Sequence, residues 1–535
     1  MIIDRLPEPL ENVELLMRRH AAAKQKKDLW RSLYQDCYQY ALPSRETFSW
    51  VAEGQTRENR LYDSTLQEAT YSAANTMCAT LFPSWTRWGN AVVAAAVEAD
   101  DVPSEVVLGL QKATQIFFDC LNQSNFSLSI NEVALDLQIG TGALQFDEGD
   151  DEMPFVFTSI PTPAIEIEEG PHGTAETKYI CRKPQVRFLE RMYPGMESFD
   201  WPESLRAALL LQPEKEVEIV QMEIYHPENK HYYGVVLAQA EKAIIYRVDY
   251  GTSPPIIVAR STKTPGETYG RGRVTRALSD AKTLDKMVEF VLRHAAVQIA
   301  PPMTGVSDGV LNPYTATLAP NTVIPVASND SGNPSLKTLD LGGNLAFSEQ
   351  FIDKLRERVR RTMLGPEPLP NGTTPPSATQ VSVFDRDRLW TMNGEYSRVQ
   401  TELLVPIFLR GLHILQKKGM VPQFKVDGRL IKLMFSSPFA KSQNTDDVLA
   451  LTEALGLAAQ LGPQELKRAI KTEDIPAWVF SKRGVDAALV RSKEELTKYD
   501  EDAAKVMGAV AQGAAEEGGV ANAVGAVSEL AAAGQ

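Results

Sequence analysis

Residues 266–305 read "GETYGRGRVTRALSDAKTLDKMVEFVLRHAAVQIAPPMTG", and how this stretch is taken decides the fold. A loop punctuated by Gly270 and Gly272 runs into a long helical pattern that stops at Pro301-Pro302. A glycine loop feeding a helix is how many phosphate sites begin, so the loop either cradles a nucleotide or launches a helix with a mechanical job. The spacing argues for the second. Thr275 stands where the third glycine of a dinucleotide fingerprint belongs, and no G-x-x-x-x-G-K-[ST] pattern occurs anywhere. "GTGAL" at 140–144 fails the same test, because Gln145 takes the third position. These glycines are expected to allow tight turns at helix boundaries.

A chain of 535 residues is too long for one compact core, and three or four subdomains is the prior. Its 43% hydrophobic and 23% charged content are those of an ordinary globular protein. No window approaches the roughly 18 uninterrupted apolar residues of a membrane span. The opening "MIIDRLPEPLENVELLMRRHAAAKQ" lacks the basic-then-apolar order of a secretory signal. Cys37, Cys78, Cys120 and Cys181 are far apart with no C-x-x-C, so reduced structural thiols and a cytosolic compartment are expected. The net charge of −14 argues against wrapping nucleic acid on a basic face. It leaves open a protein past which nucleic acid must slide, since an acidic wall avoids sticky contacts.

Along the chain, helical spacing covers 8–42 and 62–82, the latter with Leu66, Ala69, Ala73, Met77 and Thr80 or Leu81 on one face. Helical patterns follow at 104–122 and 128–139. Strand-like blocks occupy 140–180 and 217–260, broken by prolines and glycines. The helix 274–299 comes next, then a loop-rich segment at 301–343 that supports only short strands, then a helix at 345–363. "GPEPLPNGTTPPSA" (365–378) reads as an exposed loop. A long helical pattern covers 379–418 with Gly394 and Pro406 as expected kinks. Residues 445–505 read as helical, and the Ala/Gly-rich tail beyond them as mobile.

This order resembles the portal, or head-to-tail connector, of short-tailed (podovirus) bacteriophages. "NRLYDSTLQEATYSAANTMCATLFPSWTRW" resembles the family's N-terminal helix, and "LQIGTGAL" its helix-to-sheet turn. "PGETYGRGRVTRALSDAKTLDKM" is similar to its Tyr-Gly-Arg lead-in to the first stem helix. "PPSATQVSVFDRDRLWTMNGEYSRVQTELLVPIFLRGL" resembles the stretch after its tunnel loop, and "FSSPFAKSQNTDD" the start of its crown. The resemblance implies an α+β chain assembled as a ring of about twelve copies around a DNA channel. It implies a wing (1–273), a first stem helix (274–300), a clip (301–343) and a second stem helix (344–364). A tunnel loop (365–378), a long kinked wing helix (379–430), a helical crown (431–505) and a flexible tail (506–535) complete it. The implied partners are double-stranded DNA, the terminase large subunit, major capsid and scaffolding proteins and a tail adaptor, with no membrane. The implied location is the portal vertex of the virion, after assembly in the host cytoplasm. The stem helix of roughly 25 residues would reach about 37 Å, a plausible wall height for a channel.

Two antiparallel helices bracketing so long a loop-rich excursion are odd in a compact domain, and make sense if the excursion packs against a neighbouring copy. The alternative is a βα domain with a long surface insertion.

"FIDKLRERVRR" (351–361) concentrates Lys354, Arg356, Arg358, Arg360 and Arg361 against Asp353 and Glu357. Helical geometry puts Lys354, Arg358 and Arg361 on one face, and Arg356 and Arg360 on another. In an acidic chain this run is the candidate for phosphate contact. The alternative is that these cations pair with acids of an adjacent stem helix, such as Asp280, Asp285 or Glu289. For the tunnel loop, Pro366, Pro368, Pro370, Asn371, Pro375 and Pro376 are the residues expected to project into the channel.

Enzyme readings find little support. The six histidines are dispersed; only His226 and His231 are close in sequence, none has a Cys nearby, and no H-E-x-x-H occurs, so neither a metal nor a cofactor is expected. "EIEEG" (166–170) reads as a charged solvated edge, and no G-x-S-x-G nucleophile elbow exists. An enzyme of unrecognised type, and another ring-forming head-completion or tail protein, remain as alternatives.

Overall fold

The computed structural model describes residues 2–3, 5–45, 48, 61–83, 87–93, 104–195, 201–299, 303–305, 336–338, 345–365, 392, 394–422, 431–435, 448, 450–456, 475–483, 499 and 505. The chain divides into two compact units, Met1–Phe435 and Ser436–Gln535. In the second, the described residues include helical segments at 450–456 and Ile475–Arg483.

The first unit is built around an antiparallel sheet of five strands in simple meander order: β4 (Ile165–Glu169), β5 (Ala175–Arg182), β6 (Ile219–His226), β7 (His231–Ala238) and β8 (Ala243–Gly251). Side chains alternate between faces along a strand, and here both faces are apolar because both are covered. Val220, Met222, Ile224, Val235 and Leu237 point to one side, where Leu16 and Ala23 of α1 (Val13–Ala41) pack on them. Ile219, Val236, Ala238, Ile245 and Val248 point to the other, beneath Trp201, Leu189 of α5 (Leu189–Met192), and Leu205 and Ala208 of α6 (Glu203–Leu211). α1 starts at Asn12, whose side chain accepts the Leu15 N–H at 3.1 Å and so satisfies one of the helix's orphan donors.

A second sheet has the order β3-β2-β9, from β2 (Thr141–Glu148), β3 (Phe155–Ile160) and β9 (Ile256–Arg260). Its aromatics interlock: Phe146 stacks on Phe157 at 4.3 Å and meets Phe155 edge-on at 5.1 Å. Phe117 of α3 (Ser104–Gln123) lies 4.9 Å from Phe408. The two sheets are tied by a buried ion pair: Lys178 Nζ lies 2.5 Å from Glu223, and these two side chains hold the carbonyl (2.7 Å) and N–H (2.8 Å) of Ile256 at the start of β9. Burial raises the Glu223 pKa, opposed by Lys178.

α2 (Thr65–Leu81) buries the expected stripe of Leu66, Ala69, Ala73, Met77 and Leu81 against α4 (Phe126–Ile139) and α8 (Leu345–Leu364). α7 spans Arg273–Ile299. Beyond it, β10 (Met303–Gly305) pairs antiparallel with β11 (Leu336–Thr338), so the excursion between α7 and α8 begins and ends in one two-stranded ladder.

One feature departs from the sequence expectations. Residues 431–435 open the range assigned to a helical crown, but form a strand, β12 (Ile431–Phe435), paired antiparallel with β1 (Gly89–Val93). The pairing joins segments more than three hundred residues apart, which local periodicity cannot register. Pro406, an expected irregularity within the helical pattern, lies in helix Val405–Lys417 directly after a π-helical turn at Gln400–Leu404. Proline supplies no N–H to the preceding turn, and the wider turn absorbs that defect.

Candidate functional site

The glycines of the opening stretch have a different job from the one expected. Neither Gly270 nor Gly272 adopts positive φ. Each is glycine because another backbone crosses it. A Cβ on Gly270 would lie 2.2 Å from the Gly140 carbonyl oxygen, and one on Gly140 would lie 2.1 Å from that of Gly270. A Cβ on Gly272 would meet the Gln138 carbonyl oxygen at 2.0 Å. The crossing is held by the Tyr34 hydroxyl, which donates to Gly270 O at 2.6 Å, and by Thr141 Oγ1, which accepts the Gly270 N–H at 3.0 Å. Thr275, the residue that spoils a dinucleotide fingerprint, donates its hydroxyl to Ile139 O at 3.0 Å. The loop therefore locks the end of α4 to the start of α7.

From that lock α7 and α8 run side by side in opposite directions. Arg273, at the start of α7, donates to the Met363 carbonyl near the end of α8 at 2.9 Å, and further along Asp280 accepts from Arg358 at 3.0 Å. Leu278, Ala281 and Leu284 are buried on α7, and Ile352, Leu355, Val359 and Met363 on α8. Arg273 is itself buried and bonds Glu395 at 2.7 Å, while Arg276 holds the other oxygen of Glu395.

The five basic residues of 351–361 separate into two groups. Arg356 bonds Asp63 at 2.9 Å, and Arg358 bonds Asp280. Asp63 is a junction: its other oxygen accepts the Thr65 N–H at 2.9 Å at the head of α2, while its own N–H reaches Asp285 of α7 at 3.2 Å. Arg356 is thus a tie between α8 and the α2 terminus. Lys354, Arg360 and Arg361 are exposed, and among the described residues none of them makes an ion pair. Glu289 is engaged by Lys286 and Arg293 of its own helix. The tunnel-loop residues Pro366, Pro368, Pro370, Asn371, Pro375 and Pro376 lie outside the described residues.

Several partners were not visible in the sequence. Asp63, Glu395 and Glu402, which binds Arg260 at 2.8 Å, carried no motif; the faint signal for Asp63 was its place in "DST", just ahead of a helix. "EIEEG" is no solvated edge. Glu166 is 4% exposed beside His20 and Cys181; Glu168 binds Arg19 at 2.9 Å; and Glu169 binds Arg260 at 2.9 Å and also Lys263. The sheet brings to these carboxylates cations from helices and strands far away in sequence. His226 and His231 are register partners across the β6–β7 hairpin, and His231 bonds Asp249 at 3.1 Å. Among the described residues, no helix is long and apolar enough to cross a membrane.

Residues 13–490 match the family of bacteriophage head to tail connecting proteins. The chain belongs to that family, which places it among structural connectors of phage particles. No curated protein matches it. Solved structures similar to it include the neck of an empty gene transfer agent particle computed with C6 symmetry, at 12% identity and TM-score 0.36, covering 75% of this chain and 88% of that one. The virion of a native gene transfer agent particle gives 12% identity and TM-score 0.35, covering 78% and 91%. The neck of the native particle computed with C12 symmetry gives 10% and 0.35, covering 74% and 88%. At such scores these likenesses carry no argument about function.

Proposed function

We propose that this chain is the subunit of a portal: a ring of about twelve copies at one capsid vertex, through which double-stranded DNA is packaged and later ejected. The terminase large subunit, scaffolding and major capsid proteins and a tail adaptor are its partners, and a short-tailed phage its setting. In this reading α7 and α8 are the stem, 301–343 the clip, 365–378 the tunnel loop and the second unit the crown.

The observation that carries the proposal is the family match together with the antiparallel α7–α8 pair. That pair leaves apolar side chains uncovered in the single chain. Phe290 is 57% exposed, Leu292 52% and Ile299 84%, and antiparallel packing places Phe351 of α8 (42% exposed) toward the same end. Phe290 lies roughly 200° round the helix from Leu292, with which Ile299 is aligned, so uncovered apolar side chains face two sides, as two neighbouring stems in a ring would cover. On the same pair, the exposed Lys354, Arg360 and Arg361, which make no ion pair among the described residues, are the candidate phosphate contacts, with Arg356 and Arg358 committed to carboxylates of their own chain. In a chain of net charge −14, a narrow cationic band on an otherwise acidic wall lets DNA pass with few lasting contacts.

Size and shape test it. Twelve copies of a 59.1 kDa chain elute at roughly 700 kDa and give rings with a central hole when viewed end-on. A chain that stays monomeric at every concentration tried would sink the portal assignment.

A further inference from the structure

α1 crosses the face of the five-stranded sheet at its β4–β5 edge. Glu166 of β4 is the register partner of Tyr179 on β5, and Cys181 follows two residues later, so all three side chains share the face turned to α1. His20 comes down from α1, its ring centroid 5.4 Å from that of Tyr179. The result is a triangle of unlike donors: His20 Nε2 to Glu166 Oε2 is 3.3 Å, His20 Nε2 to Cys181 Sγ is 3.4 Å, and Cys181 Sγ to Glu166 Oε2 is 3.4 Å. His20 is 7% exposed and Glu166 4%, while Cys181 is half-buried.

Hydrogen bonds account for two edges of this triangle. A protonated Nε2 and the thiol can both donate to Glu166 Oε2, whose two lone pairs accept two hydrogens, but that leaves the 3.4 Å edge between nitrogen and sulfur without a hydrogen. A cation over the triangle satisfies all three atoms at once. Zinc bonds of about 2.0–2.1 Å to N and O and about 2.3 Å to S at tetrahedral angles give a nitrogen–oxygen edge of about 3.3 Å and edges to sulfur of about 3.5 Å. The observed edges match that face of a tetrahedron.

We propose that His20, Glu166 and Cys181 form a binding site for a divalent zinc-type ion that clamps α1 to the sheet. The thiolate and the carboxylate balance its charge, leaving the Lys27 ammonium on the carbonyls of Pro163 and Ile165, at 2.6 Å each. Glu166 also lines a cleft of about 200 Å³ with Lys24, Asp28 and Arg31. Nothing in the portal assignment requires this site, and its test is independent of ring formation.

Cobalt(II) is the probe, added to the reduced, chelator-treated full-length chain. The expected result is a near-ultraviolet thiolate-to-cobalt charge-transfer band that saturates at one ion per chain and is displaced by zinc. Cys181→Ala should abolish the band, and Cys37→Ala and Cys78→Ala should retain it. His20→Gln should weaken zinc binding roughly 100-fold or more, beyond the usual effect of losing an outer-shell partner. Zinc should also raise the melting temperature of the wild-type chain and a chelator lower it. Absence of the band in the wild-type chain overturns the site whatever the variants do, as does an undiminished band in Cys181→Ala. A chain that melts identically with zinc and with chelator leaves the triangle a hydrogen-bonded contact and also overturns it.

Discussion

Gly140 and Gly270 touch backbone to backbone: a methyl group on either would sit within 2.2 Å of the other's carbonyl oxygen. Nothing in that contact can give way, because both sides are main chain fixed by Tyr34, Thr141 and the Gly140 O to Ser261 N–H bond of 2.8 Å. Gly140→Ala and Gly270→Ala should each cost about 3 kcal/mol or more, in the range of severe overpacking. Gly394 lies in a helix, and a methyl group there would meet nothing within 4 Å, so Gly394→Ala should stabilise by about 0.5–1 kcal/mol. Urea melts of the three variants check the contrast. Equal effects would show that the crossing is not what makes these glycines necessary.

The Lys178–Glu223 pair offers a second test. Both side chains are buried, at 5% and 0% exposure, and removing one partner strands a charge in the core. Lys178→Met should cost about 3–5 kcal/mol. Lys178→Met with Glu223→Leu should recover part of that loss, because no charge remains. It should not recover all of it, since the Ile256 N–H and carbonyl lose their partners, at about 1–3 kcal/mol each. A double variant no better than the single would mean that the charge is not the source of the cost.

Arg356 and the exposed cations of the same helix should separate cleanly. Arg356→Gln breaks the tie to Asp63, whose side chain is only 5% exposed, and should lower stability by about 1–3 kcal/mol. Replacing Lys354, Arg360 and Arg361 together with Gln should leave melting within about 0.5 kcal/mol while weakening DNA retention and flattening its salt dependence. Melting and packaged-DNA length are measured on both proteins. A triple variant that melts early but packages and retains DNA normally removes these residues from the contact set.

Asp136 carries a pH signature. It is buried, accepting the Tyr38 hydroxyl at 2.9 Å and Arg45 at 3.1 Å, and burial outweighs both in raising its pKa above 3.8. The folded state therefore holds this proton to higher pH than the unfolded state, and the linkage makes stability fall as pH rises through that window. Against Asp136→Asn, the wild-type chain should gain stability on acidification from about pH 7 toward about pH 4. A difference between the two proteins that is flat across that range, or of opposite slope, contradicts the sign.

What the sequence determined by itself is what short-range chemistry encodes. The apolar stripe Leu66–Leu81, the run ending at Pro301-Pro302 and the alternation in 217–260 are local periodicities, and the helices and strands follow them. The glycine spacing was enough to deny a nucleotide loop, and the collinear series of motifs pointed to the connector family that residues 13–490 match. Which distant residues meet is settled only when the chain packs. Strand β1 finds β12, Arg356 finds Asp63, and His20, Glu166 and Cys181 converge from one helix and two strands. The same holds for the glycines: sequence marked Gly140 and Gly270 as special, but the reason is the other glycine. Periodicity is a property of neighbours along the chain, whereas pairing of charges, donors and backbones is settled by the packing that buries them.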